Sequence, residues 1–262
     1  MKNTQQMRTQ QGFTLVELLV SSTVFVLLAG AAFSLLNSSS QRFKTDSQIL
    51  TSFQEARLGM DQIARDVADS GFPPRNHFSA PATPSNLYAA APFAWAPGYV
   101  AGTLCNGGTC TTPTQFDLIV EEDYDGTGVK WIRYQLPAGT TTLLRAVAPK
   151  TAGGDADAST SGAGVLLPYL QNVMNNASGA QINAIRVAYP TMFPGSNPVP
   201  LFTYTCDVVG STPAPCTAAN TPADIRDVGI TIIVQAPSQD TKTFSLRLVE
   251  LNGMGHRLNP NK

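Results

Sequence analysis

The residues of this chain that are able to do chemistry are few and scattered. Four cysteines stand at Cys105, Cys110, Cys206 and Cys216, and two histidines at His77 and His256. A structural zinc site needs tight Cys-x-x-Cys or His spacings. The CNGGTC stretch and the nine-residue gap after Cys206 do not supply them. Neither pair has the Cys-x-x-Cys spacing of a redox couple. Nothing places either histidine with a nucleophile, and no G-x-S-x-G, G-x-G-x-x-G or P-loop pattern occurs. The reading is therefore no enzyme and no cofactor. An oxygen-rich run, Glu121-Glu122-Asp123-Tyr124-Asp125-Gly126, makes calcium at Asp123 and Asp125 conceivable. It lacks the third acid and the terminal Glu of a full calcium loop. An Asp-Gly hairpin turn is the reading preferred over it. One further acid stands out by its surroundings. Glu17 is the only charge between Phe13 and Leu36, where 17 of 24 residues are hydrophobic.

The element that holds Glu17 is long enough to cross a bilayer. As a helix, the run would extend about 36 Å, against about 30 Å of hydrocarbon. Three readings compete for it. A cleaved signal peptide with a small-residue site at Ala29-Gly30-Ala31 has the basic leader, in Lys2 and Arg8. Its apolar run, however, continues through Phe33, Leu35 and Leu36, and Glu17 lies within it. A plain membrane anchor leaves an acid in lipid at a cost of several kcal/mol unless something pairs with it. The third reading gives Glu17 a role.

The stretch Gly12-Phe13-Thr14-Leu15-Val16-Glu17-Leu18-Leu19-Val20 resembles the cleavage and methylation motif of type IV prepilins and pseudopilins. The leader is polar and basic and ends in Gly, Phe follows, and Glu stands four residues on. The resemblance implies cleavage by a prepilin peptidase between Gly12 and Phe13, and N-methylation of Phe13. It implies that Glu17 pairs with the new amino group of a neighbouring subunit and so sets assembly register. A buried ion pair is weak evidence for stability but a plausible register device. Removing the leader takes away Lys2 and Arg8 and leaves side-chain charges of 15 and 18, a balance of −3.

The same helix is expected to continue beyond the apolar run. No Pro occurs between Phe13 and Ser70, and Gly30 and Gly59 are the only glycines there. Apolar residues recur at Ile49, Phe53, Ala56, Met60, Ile63 and Val67, one stripe at helical spacing. Glu55, Arg57, Asp61, Arg65, Asp66 and Asp69 are read as the outer, charged face. Ser70-Gly71 followed by Phe72-Pro73-Pro74 predicts the stop.

Beyond it, residues 71–115 are rich in Pro, Ala, Gly and Thr and read as loops with at most a short strand. Strand signals cover Phe116 to Glu121, Val129 to Leu136, Thr141 to Val147, Ile182 to Tyr189, Pro198 to Cys206, Val228 to Gln235 and Thr243 to Glu250. The first two flank the Asp123–Gly128 turn, and the last two are expected to pair across Ala236 to Lys242. Residues 151–164 read as a flexible loop. The fold class is α+β, pilin-like, with a long N-terminal helix on an antiparallel β-sheet domain. The expected divisions are a leader (1–12), a transmembrane and filament-core helix (13–36), an amphipathic helix (37–70) and a periplasmic β-rich domain (71–262).

Charged residues make 13% of the chain, about half the usual share, and the formal net charge is −1. This balance argues against a basic nucleic-acid binder and against disorder. The order Tyr134-Gln135-Leu136, Leu143-Leu144-Arg145 and a late strand after Ile225-Arg226-Asp227-Val228 loosely resembles large minor pilins of the PilW type and J-type pseudopilins. That resemblance implies a minor pilin of a bacterial type IV pilus, held in the inner membrane with its C-terminal domain in the periplasm and later carried to the cell surface. Its implied partners are prepilin peptidase, other minor pilins, the major pilin and the inner-membrane assembly platform. A type II secretion minor pseudopilin is the alternative within the family, and an exported periplasmic domain with an ordinary signal or anchor the alternative outside it. Four cysteines in an exported domain suggest disulfides. Of three pairings, the local ones, Cys105–Cys110 and Cys206–Cys216, are the expectation.

Overall fold

The computed structural model describes residues 12–78, 85–89, 92–94, 115–150, 164–207, 212–216, 220, 222–239 and 246–259. One unbroken helix, α1 (Leu15–Asp69), opens the chain. By its contacts the chain divides into a unit ending at Ser47 and a unit beginning at Gln48, and α1 runs through the boundary.

In the first unit every residue from Gly12 to Lys44 is exposed. Phe13, Leu15, Val16, Phe25, Leu28, Phe33 and Leu36 each show about two thirds of their surface or more. An 18-residue window of this helix has a mean hydropathy of 2.2, and none of it is buried. Length and composition allow it to cross a membrane. In water such a surface would cost far more than intrinsic helix propensity returns, so its environment must be apolar.

The second unit begins where α1 becomes amphipathic. Its buried residues are Ile49, Ala56, Gly59, Ile63, Asp66 and Val67. The stripe read from spacing is therefore the packed face, with Phe53 and Met60 half-buried on it. α1 ends where Gly71 takes a φ of 81°, a conformation open to glycine without strain. The Gly71 N–H then donates to the Glu121 carbonyl at 2.8 Å, tying the helix end to the sheet.

Two antiparallel sheets share the core with α1. The first has the order β1 (Phe93–Ala94), β2 (Asp117–Glu122), β3 (Lys130–Gln135), β4 (Leu143–Pro149) and β5 (Leu167–Leu170). The second has the order β7 (Ala214–Pro215), β6 (Phe202–Cys206), β8 (Ile225–Gln239) and β9 (Leu246–His256). Ala56, Ile63 and Val67 of α1 meet Leu118, Val120, Ile132 and Tyr134 of the first sheet and Val228, Ile230, Ile232 and Val234 of the second. The period-2 spacing within each strand is what sends these side chains to one face. On the other face of the second sheet, Ile233 and Leu248 pack under Met174, Ile182, Ile185 and Phe193.

That second cluster corrects one expectation. Ile182 to Tyr189 is not a strand: α2 (Gly179–Arg186) covers most of it. The buried pair Ile182 and Ile185 has helical spacing. A capping box starts the helix, with Ser178 Oγ accepting from the Gln181 N–H and Gln181 Oε1 accepting from the Ser178 N–H at 3.0 Å.

The other strand expectations hold, with shifted ends. β2 and β3 pair from Asp117↔Gln135 to Glu122↔Lys130 around the acidic turn, with Gly126 at φ 73°. β8 and β9 form the expected late hairpin, longer than foreseen, from Asp227↔His256 to Gln239↔Leu246. The fold class is α+β with a long N-terminal helix, as in pilins.

Candidate functional site: the N-terminal junction and its supports

Gly12, Phe13 and Thr14 precede the helix in non-helical conformation, and all three are exposed. The bond between Gly12 and Phe13 thus lies outside regular structure, as a peptidase requires of its substrate. Thr14 then starts α1 through a capping box. The Glu17 N–H donates to Thr14 Oγ1 at 3.3 Å, and the Thr14 N–H donates to Glu17 Oε2 at 3.4 Å. Thr14 Oγ1 also donates to the same carboxylate oxygen at 3.3 Å. Glu17 is the acid of the first helical turn, where the positive end of the helix dipole favours it.

This arrangement gives Glu17 a local resting place at the head of its own helix. Its contacts are long and exposed, so they are weak. A charged amino group brought to the same carboxylate would displace them at little cost, since both partners of the new bond would be ionised. Sequence reading found Glu17 but missed the Thr14-x-x-Glu17 box, a pattern that is itself a start signal for helices.

Three arrangements of buried charge join α1 and the strands of the first sheet among the described residues. Asp66 is 3% exposed, although its place in the sequence suggested the outer face. Its carboxylate accepts from Tyr134 Oη at 2.6 Å and Gln62 Nε2 at 2.5 Å, and pairs with Arg145 Nη2 at 3.3 Å. The sign of its burial was present in Gly59 and Asp66, seven residues apart beside the apolar stripe. Burial first, and then the Asp66 charge, push the Tyr134 hydroxyl well above its usual range, so it stays a donor. The network ties the end of α1 to β3 and β4.

The other two arrangements join strands on the opposite face of the first sheet. Lys150 Nζ and Glu121 Oε2 pair at 3.0 Å with both side chains fully buried, and Trp131 Nε1 donates to Glu121 Oε1 at 2.9 Å. Arg133 grips Asp117 with two parallel bonds of 2.9 and 2.6 Å. Each ion of these two pairs has a counter-ion, and each carboxylate accepts from a further donor, Trp131 Nε1 at Glu121 and Gln135 Nε2 at Asp117, which is the condition for a buried pair to be tolerated.

Cys206 at the end of β6 is bonded to Cys216 just after β7, with Cα atoms 5.0 Å apart. This is one of the two local pairs expected. Cys105 and Cys110 lie outside the described residues. In the acidic turn, Asp125 pairs with Lys130 and accepts from the Thr127 N–H and hydroxyl. The Lys130 hydrogen bond, followed by those from Thr127, lowers the Asp125 carboxyl to about 2. Asp125 already has a cation, and among the described residues no three metal-ligating side chains come together. The turn is built as a turn. His256 Nδ1 lies against the Asp227 carboxylate across the β8–β9 ladder, and His77 meets the Phe78 ring edge-on and lies tilted beside that of Phe72.

Residues 7–33 match the model of the prokaryotic N-terminal methylation motif. The match covers the junction, Glu17 and most of the apolar helix, and leaves the sheets outside it. No curated protein and no solved structure matches the chain. The motif, together with the exposed apolar helix, supports a protein of the type IV pilin or pseudopilin kind. It points to anchoring in the inner membrane, processing by prepilin peptidase and assembly with other pilins, and to a structural subunit rather than an enzyme.

Proposed function

We propose that this chain is a minor pilin of the PilW type, cleaved after Gly12, N-methylated on Phe13 and assembled in the priming or tip complex of a type IV pilus. The observation that carries the proposal is the junction itself. An exposed Gly12-Phe13 bond, a helix cap at Thr14 and a single acid at Glu17 stand at the head of a helix whose apolar surface is uncovered. Within this reading, residues 13–36 are the membrane and filament-core segment, residues 37–70 link it to the periplasmic domain, and residues 71–262 form that domain.

The geometry supports the following steps. Before cleavage, Glu17 is satisfied by Thr14. Cleavage creates an amino group on Phe13, one residue before the cap. In the apolar core of a filament, that ammonium and a neighbour's Glu17 are each costly alone and tolerable as a pair. Pairing them fixes the axial position of an incoming subunit while leaving its apolar helix free to slide into place. Cys206–Cys216 and the buried ion pairs hold the exported domain rigid.

Mass spectrometry of the mature amino terminus is the test. N-methyl-Phe13 is the expected start. A start near Ala32 would instead show an ordinary cleaved signal and end the pilin reading.

A further inference from the structure

The end of α1 and the edge of the first sheet enclose a cavity of about 400 Å³ that opens to solvent. Asp66, Asp69 and Arg65 of α1, Glu122 at the end of β2 and Arg145 of β4 supply its charges, and Tyr169 and Tyr124 supply aromatic rings, that of Tyr124 already carrying Lys130 Nζ 4.4 Å from its centroid. Arg65 lines it too, with its Nη2 donating to Gln62 Oε1 at 3.1 Å and, among the described residues, no ion pair to Asp69 or Glu122. Arg145 is committed to Asp66 and Tyr134. Asp69 and Glu122 thus face the cavity with no cation matched to them among the described residues.

Glu122 is the anomaly. The residue is 1% exposed, and its Oε2 is buried without a hydrogen-bond partner. A buried acceptor left without a donor costs about 1–3 kcal/mol, and an ionised one more. Burial, then the carboxylates of Asp66 and Asp69, push its carboxyl up to about 8, with Arg145 pulling the other way. The site meets this cost with a proton as long as nothing better arrives.

A divalent metal does not fit, because no three ligating side chains converge among the described residues. A cation on a short alkyl stem fits better. Its head group would meet the acids, and its methylenes would lie on the ring of Tyr169. We propose that this cavity binds an alkyl cation, the ammonium of a lysine or the guanidinium of an arginine, which pairs with Asp69 and Glu122. On binding, the Glu122 carboxyl gives its proton to the buffer and the ligand replaces it as the donor. The chemistry of the site does not depend on the pilin reading. Only the source of the ligand does: a basic side chain of a neighbouring subunit, or a free amine.

The test uses the full chain in detergent micelles, titrated calorimetrically with n-butylammonium and n-butylguanidinium at pH 7 in two buffers of different ionisation enthalpy. Saturable binding with release of close to one proton per ligand is expected, and n-pentanol, which has no charge, should not bind. Glu122→Gln should weaken binding about tenfold and abolish proton release, as loss of one charge-assisted contact implies. Asp69→Asn, an exposed substitution that leaves the core alone, should also weaken it about tenfold and guards against misfolding of the Glu122 variant. Absence of saturable binding, or equal binding by wild type and both variants, overturns the proposal. Assembly of the Asp69→Asn subunit then separates the sources. Reduced piliation assigns the ligand to a neighbouring chain, and normal piliation assigns it to a free amine. A mature terminus other than N-methyl-Phe13 would remove the pilin reading and leave the micelle result standing.

Discussion

The two halves of α1 are one continuous helix solving opposite problems. Up to Ser47 its apolar side chains are uncovered, and its one carboxylate before Arg42 is satisfied only by Thr14 of the same turn. From Gln48 onward the apolar stripe is covered by two sheets, and the buried Asp66 is held by groups 68 and 79 residues away in sequence. The first half keeps its binding energy for other molecules. The second half has spent its own on closing a domain. A substitution in the first should therefore change assembly without changing domain stability, and a substitution in the second should do the reverse.

The largest effect should come from Glu17→Ala. On the pairing proposed above, its loss removes one member of a buried pair at about 3–5 kcal/mol, because the other charge is left alone. Membrane insertion and the melting of the second unit should be unchanged, while piliation counted by electron microscopy should fall steeply. Normal pili in this variant would erase the contrast between the two halves.

Asp66→Ala is the counterpart in the second half. It strands the Tyr134 hydroxyl and removes the partner of Arg145, at about 3 kcal/mol by denaturant melting of the full chain in micelles. Glu55→Ala, exposed on the same helix, should stay within about 0.5 kcal/mol. Equal effects from the two would mean that the Asp66 network holds nothing.

Much of this was legible in the sequence, and the exceptions have physical causes. The apolar run, the Ile49-to-Val67 stripe, the Gly71 stop and the β8–β9 hairpin all rest on long periodic patterns, which specify an element with little help from outside. Ile182 to Tyr189 was misread because a segment of eight residues carries too few repeats to separate periods of 2 and 3.6. The Ser178-x-x-Gln181 box carried the answer. β5 was missed because Leu167-Pro168-Tyr169-Leu170 is four residues long and contains a proline, which only an edge strand tolerates. Asp66 was placed outside because a charge reads as a surface residue until its partners, far off in sequence, are known. The Gly12–Phe13–Glu17 junction was legible because a processing signal must be read locally.

Replacing Cys206 and Cys216 by Ala should cost about 2–3 kcal/mol, the loop-closure value for a short ring. The loss should appear in melting of the oxidised chain and vanish under reducing conditions. A smaller change still is expected at Gly255. A Cβ there would lie 2.6 Å from Val67 Cβ and 3.3 Å from the Ala64 carbonyl, and one at Gly253 would lie 2.7 Å from Met60 Sδ. These two glycines let β9 press against α1. Gly255→Ala should therefore cost about 1–2 kcal/mol by overpacking. Gly30→Ala, with open space around it, should leave domain stability alone.

The finest test of the contrast is pH. Glu122 takes up a proton when the second unit folds, since burial and the neighbouring acids raise its carboxyl from the ordinary 4.5 to about 8. Between those values the folded chain holds a proton that the unfolded chain has lost. Stability should therefore fall as pH rises through that window and level off above about pH 8. Glu122→Gln removes the titration and keeps the shape. The difference between the wild-type and Glu122→Gln melting curves should change with pH inside the window and stay constant above it, because all other groups cancel. A constant difference throughout would mean that the carboxyl is ionised when folded and has found a donor. This buried acid of the second unit would then have a donor, as the exposed Glu17 of the first unit has in Thr14, and the two units would differ only in where their apolar surface goes.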